Sequence, residues 1–129
     1  MQMNLLVMEN FIVIFMVGAL VKVADVQSIE KILNDKKVDD IVTLDFREKS
    51  PFLDFFLIGS VRNGRMANAA IESIDDFCSL NGIEVKHIDA NKESKWFLID
   101  IGSIIVHIFF DGEREKYDLE GLWKDLILK

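Results

Sequence analysis

Two apolar runs joined by a two-residue polar break constrain this chain more than any other feature. They are Trp96–Ile101 and Ile104–Phe110, on either side of Gly102-Ser103. Gly followed by a small polar residue suits a two-residue hairpin, because such a turn needs positive φ at a central position. That turn fixes a register in which Ile101 faces Ile104, Asp100 faces Ile105 and Leu98 faces His107. Side chains alternate between faces along a strand. One face then carries Phe97, Ile99, Ile101, Ile104, Val106, Ile108 and Phe110, all apolar, and belongs to the core. The other carries Trp96, Leu98, Asp100, Ile105, His107 and Phe109. Large apolar groups mixed with one acid and one imidazole, with aromatics at the rim, resemble a protein-binding surface more than a core. The alternative is a covering helix, with Asp100 and His107 as hydrogen-bonded core groups. A slip of one residue would exchange the two faces.

The rest of the chain supplies partners for this hairpin. Val26, Ile29, Ile32 and Leu33 recur at helical spacing, so a helix is predicted up to about Asn34, stopped by Asn34-Asp35-Lys36-Lys37. Ile41–Phe46 alternates as a strand, Arg47–Pro51 reads as a loop, and Phe55–Ser60 as a second short strand. Ala67, Ala70, Ile71, Ile74, Phe77 and Cys78 form one helical stripe. This predicts a helix from about Gly64 to Leu80, with Asn63 as N-cap and Asn81-Gly82 as the stop. Ile83–Ile88 reads as a weakly patterned strand. Leu119, Leu122, Trp123, Leu126 and Ile127 predict a final amphipathic helix capped by Asp118. The order is α-β-β-α-β-β-β-α, which points to an α/β fold with a single mixed sheet of about five strands and packed helices.

The first 22 residues stand apart as an apolar extension of uncertain role, and residues 23–129 read as one domain. Phe11–Val21 is uncharged and apolar but covers only 11 residues, where a spanning helix needs roughly 20. Met1–Asn10 has no Lys or Arg, unlike the basic start of a secretory signal. Met8 and Met16 are possible later starts. No membrane association is expected, and a cytoplasmic location is. The single cysteine, Cys78, allows no internal disulfide, which fits a reducing compartment.

Charge and motif content argue against several chemistries. Asp and Glu outnumber Lys and Arg 22 to 15, a formal charge of −7. Nucleic-acid affinity comes largely from cations on phosphates, so no direct nucleic-acid recognition is expected. A basic protein surface is the favoured partner. His87 and His107 lie on different strands and one Cys makes no cluster, so no metal site is expected. No phosphate-binding glycine loop occurs, and no cofactor is expected. Cys78 sits in an apolar stripe, as a buried inert thiol does. Gly59-Ser60, after an apolar strand and before a helix, is similar to the Gly-Ser motif of nucleotidyltransferases. Those enzymes also need two acids alternating on a following strand to hold magnesium. The acids available here, Asp75 and Asp76, are adjacent on a helix and diverge by about 100 degrees. A nucleotidyltransferase-like enzyme is therefore the alternative, and no catalytic residues are assigned.

Several short pieces recur in one order. Asp35-Lys36-Lys37 leads to Asp40-Ile41-Val42 and Leu44-Asp45, then Asp54-Phe55-Phe56 with Ile58, and Arg65 at a helix start. Trp96-x-Leu98-x-Asp100-x-Gly102 follows, then Val106-His107-x-Phe109. Last is Arg114-x-x-Tyr117-x-Leu119-Glu120-x-Leu122-Trp123. From Ile29 to Leu126 the chain thereby resembles the ribosomal silencing factor family, also called Iojap-like. Val61, Asn63 and Ser103 stand where that family usually has Gly, Ser and Asp. The resemblance implies a nucleotidyltransferase-like fold without the activity. It implies binding to the large ribosomal subunit through ribosomal protein fourteen, steric exclusion of the small subunit, and repression of translation when nutrients are scarce. Organellar relatives are associated with ribosome assembly, so an organellar-type assembly factor is a further alternative, and some members look dimeric when free, which makes a homodimer of the free protein a further expectation.

The partner-binding residues expected on this basis are Asp54, Phe55, Trp96, Leu98, Asp100, His107, Phe109, Arg114, Tyr117 and Glu120. Arg114 and Tyr117 should be partly exposed. Trp96 is balanced between interface anchor and core. Asp54 and Asp100 are balanced between partner contact and local turn hydrogen bonds. Glu120 would ordinarily be a solvated helix charge, and Trp123 a core residue.

Overall fold

The computed structural model describes residues 23–91, 93 and 95–128. The apolar extension of residues 1–22 lies outside them. Helix α1, described over residues 23–35, buries Val26, Ile29 and Leu33. It ends where Lys37 turns left-handed (φ 67). Strand β1 runs Asp39–Asp45 and β2 runs Phe55–Val61, paired antiparallel with an irregularity between Asp39 and Val42. Asp40 sits there in the left-handed region, φ 52, as an extra residue in a ladder often requires.

Helix α2 spans Gly64–Leu80. The Asn63 side chain accepts the Met66 N–H at 3.0 Å, closing the N-terminus as expected of an N-cap. At the other end the Asn81 and Ile83 N–H groups return to carbonyls of the last turn, and Gly82 takes φ 66. The stripe Ala67, Ala70, Ile71, Ile74 and Cys78 is buried.

Strands β3 (His87–Asp89), β4 (Trp96–Asp100) and β5 (Ile104–Phe110) complete one mixed sheet ordered β1-β2-β5-β4-β3. Only β2 and β5 are parallel. A parallel pair needs a long crossover, and α2 and the strands after it provide it. The hairpin register is the expected one: Asp100 pairs with Ile105 and Leu98 with His107. The Ile101 N–H donates to the Ile104 carbonyl at 3.0 Å, and Gly102 takes φ 93.

Two expectations are corrected. The strand predicted over Ile83–Ile88 is short and late, because Ile83 and Val85 turn into the core as the chain leaves α2. Ladder pairing starts only once the Lys86 N–H reaches the Asp100 carbonyl. The final helix is three short pieces: α3 (Arg114–Tyr117), α4 (Leu119–Leu122) and a 3-10 turn over Lys124–Leu126. Asp118, at φ 46, breaks the helix while its carboxylate caps α4 through the Gly121 N–H. The segment then crosses the sheet and reaches β1, where Ile127 bridges Leu44 and the Leu128 N–H donates to the Thr43 carbonyl.

The sheet has a core on each side. On one, α1 and α2 cover Phe55, Leu57, Val61, Phe97, Ile99, Ile101, Ile104, Val106 and Ile108. Each fully buried large side chain there contributes about 1.5–3 kcal/mol. On the other, the C-terminal segment covers Leu44, Phe46, Ile58 and Phe109. No helix among the described residues is long and apolar enough to cross a membrane.

Candidate functional site

The register places a row of side chains across the second face. Leu44, Phe56, Ile105, Asp100 and His87 are neighbours in turn, followed by Val42, Ile58, His107, Leu98 and Asp89. A third row holds Ser60, Phe109 and Trp96. The C-terminal segment lies over the β1–β2–β5 half, with Leu119, Trp123, Leu126 and Ile127 packed on it. The Trp123 ring meets Phe46 edge-on at 5.2 Å. The β4 half stays only half-buried at Trp96, Leu98, Asp100 and neighbouring Ile105.

One end of this strip is aromatic. Tyr117, 46% exposed, lies on Trp96 with ring centroids 4.6 Å apart and on Phe109 at 5.7 Å. Trp96 also stacks on Phe109 at 5.0 Å. Its indole N–H donates to His107 Nδ1 at 3.2 Å. A neutral imidazole that accepts at Nδ1 carries its proton on Nε2. That Nε2 is buried and finds no partner among the described residues. Burial pushes the His107 pKa down to about 4, so the ring is neutral at physiological pH.

The other end is acidic and polar. Asp100 Oδ1 accepts the Gly102 N–H at 2.8 Å, which fixes its carboxylate beside the hairpin turn. The Asp54 and Phe55 N–H groups both donate to the Ser103 carbonyl. The loop that carries half-buried Asp54 is thereby tied to that same turn.

Several expected site residues are placed differently. Phe55 pairs with Ile104 and so faces the helix layer, buried in the main core, with the Arg47 guanidinium 4.9 Å from its ring centroid. Its neighbour Phe56 is the one that faces the strip side, 4.5 Å from His107. Phe109 (0% exposed) and His107 (5% exposed) lie beneath the strip rather than on it: Tyr117 and the C-terminal segment pack on Phe109, and Trp96, Phe56 and Phe109 surround the His107 ring. Arg114 is 8% exposed, not partly exposed. Its Nε donates to Glu120 Oε1 at 2.6 Å and its NH1 to Ser60 Oγ at 2.9 Å. Glu120 is accordingly an ion-pair partner and not a solvated charge. Phe56 was missed because β2 is apolar from Phe55 to Ile58, leaving no alternation to assign its faces; Ile105 lies on the mixed face as expected but was not counted among the partner residues.

Gly59-Ser60 has a structural account. A Cβ on Gly59 would collide with the Val38 side chain, which packs against that backbone. Ser60 accepts from Arg114 on the second face, whereas Asp75 and Asp76 belong to α2 on the first. The two acids and the serine therefore lie on opposite sides of the sheet. Burial first, then Asp75 and Asp25, push the Cys78 thiol up to about 11, so it is protonated and a poor nucleophile.

A family model described as "Ribosomal silencing factor during starvation" matches residues 21–127. The chain is 38% identical over 92 residues to the ribosomal silencing factor RsfS of Bacillus subtilis (strain 168), covering 71% of this chain and 78% of that protein. A mouse protein named "Mitochondrial assembly of ribosomal large subunit protein 1" is 24% identical over 102 residues, covering 77% of this chain and 45% of that one. The fold superposes on a crystal structure of a Bacillus halodurans protein with a TM-score of 0.69 at 31% identity, covering 81% of this chain and 95% of the other.

Proposed function

The chain belongs to the ribosomal silencing factor family, and on that premise we propose that it docks on large-subunit ribosomal protein fourteen and keeps the small subunit from joining. Translation is then repressed when nutrients are scarce, and the protein acts in the cytoplasm, without catalysis. The observation that carries this reading is the uncovered strip Trp96–Leu98–Asp100–Ile105, with Tyr117 at one end. It combines an aromatic anchor, aliphatic area and a fixed carboxylate, the composition of an interface centre. The charge of −7 favours a basic ribosomal protein over ribosomal RNA. In the free protein the same strip is available to a second copy.

Tyr117→Ala should weaken binding to purified large subunits and to isolated protein fourteen about tenfold, with a native far-UV circular dichroism spectrum. Trp96→Ala should cost about 2 kcal/mol or more of binding, roughly 30-fold. It also removes the donor to His107, so some stability goes with it. Unchanged affinity for both variants would place the partner elsewhere.

The mouse relative supports a second reading, a role in assembling the large subunit. The two separate by timing: an assembly factor accumulates on immature large subunits, a silencer on mature ones.

A further inference from the structure

We propose that Ser60, Arg114 and Glu120 are positioning residues that set Tyr117 on the docking strip; this rests on the ribosomal reading above. Helix α3 is a single turn, too short to hold itself in water. Tyr117 is its last residue, and the next, Asp118, is left-handed. The side chain that ties this turn down is Arg114, buried at its start. It reaches Ser60 on β2 with NH1 and Glu120 on α4 with Nε. One guanidinium thus joins the sheet, α3 and α4, three residues before the ring that lies on Trp96 and Phe109.

A buried ion pair is a weak source of stability, because desolvation offsets the attraction. Its better-supported use is to fix one arrangement among several. Here the arrangement fixed is the exposed tyrosine over the strip's tryptophan. The same contact gives Ser60 a role although Asp75 and Asp76 lie across the sheet from it.

The test is a double-mutant cycle between Arg114→Met and Tyr117→Ala, with binding to purified large subunits as the readout. Each single variant should bind about tenfold more weakly than wild type. The double variant should bind within about twofold of Tyr117→Ala alone, because Arg114 acts through Tyr117. Multiplying losses would overturn the proposal, since Arg114 would then act on the partner or on the fold independently. Wild-type affinity for Arg114→Met would overturn it as well. If Arg114→Met does not fold, Glu120→Gln replaces it in the cycle, with several-fold weakening expected only when Tyr117 is present. If wild type binds no large subunits, the ribosomal reading fails and near-UV circular dichroism decides the positioning role. Arg114→Met should then reduce the aromatic signal to that of Tyr117→Ala, and an unchanged signal overturns the proposal.

Discussion

Truncating Phe109 to alanine is expected to cost about 3–5 kcal/mol of folding stability, read from urea or thermal denaturation. The ring is fully buried against both Trp96, at 5.0 Å, and Tyr117, at 5.7 Å. It belongs to the second core with Leu44, Phe46 and Ile58, beneath Leu119 and Trp123. Removing it leaves a cavity that a sheet strand on one side and a capped, ion-paired segment on the other cannot fill by collapse. The melting temperature should fall by roughly 10 °C or more. A phenylalanine that lay on an exposed docking face would instead change stability by roughly 0.5 kcal/mol or less. That smaller result would mean that the C-terminal segment does not cover this half of the sheet in solution.

Acid should loosen the same region through a different group. Burial depresses the His107 pKa to about 4 from the ordinary value of 6.5. Between those two values the unfolded chain binds the proton and the folded one does not, so stability rises with pH across that window. The contribution is complete above about pH 6.5, falls as pH drops, and is lost below about pH 4, some 3 kcal/mol in all. The physical event is a charge forced among Phe56, Phe109 and Trp96, with the Trp96 indole donor facing an Nδ1 that no longer accepts. Asp45, held low mainly by its hydrogen bond to Arg47, loses its contribution in a lower window, as pH falls below the ordinary carboxylate value of 3.8. Comparing wild type with His107→Phe isolates the imidazole, because other groups titrate alike in both. The variant should lack the slope between pH 6.5 and 4 that wild type has; identical slopes would mean that His107 is accessible to water in the native state.

The sequence was most informative where short-range rules dominate. The Gly102-Ser103 turn set the register of β4 and β5, and the register separated a core face from a mixed face. Asn63 and Asn81-Gly82 marked the ends of α2 through local hydrogen bonds that need no knowledge of the rest of the fold. Tertiary arrangement was less legible. The apolar spacing from Leu119 to Ile127 fits one helix, yet Asp118 is left-handed and the chain breaks into short turns that wrap the sheet. That wrapping decides which half of the mixed face is covered, so His107 and Phe109 became core while Trp96, Leu98 and Asp100 stayed half-open. Phe55 and Phe56 could not be told apart, because every residue from Phe55 to Ile58 is apolar and both faces of β2 are buried under something. Arg114 read as a surface cation because its hydroxyl partner, Ser60, is 54 residues away. Nothing local signals that a charge has a buried partner at such separation.

A protein seated on the joining face of the large subunit should prevent subunit joining in a purified system. Purified large subunits are incubated with the protein, small subunits are added under joining conditions, and the mixture is resolved on a density gradient. Fewer joined ribosomes are expected as the protein increases, with the protein sedimenting alongside separate large subunits and absent from joined ones. An unchanged yield of joined ribosomes, or protein spread evenly over both particles, would rule out steric exclusion.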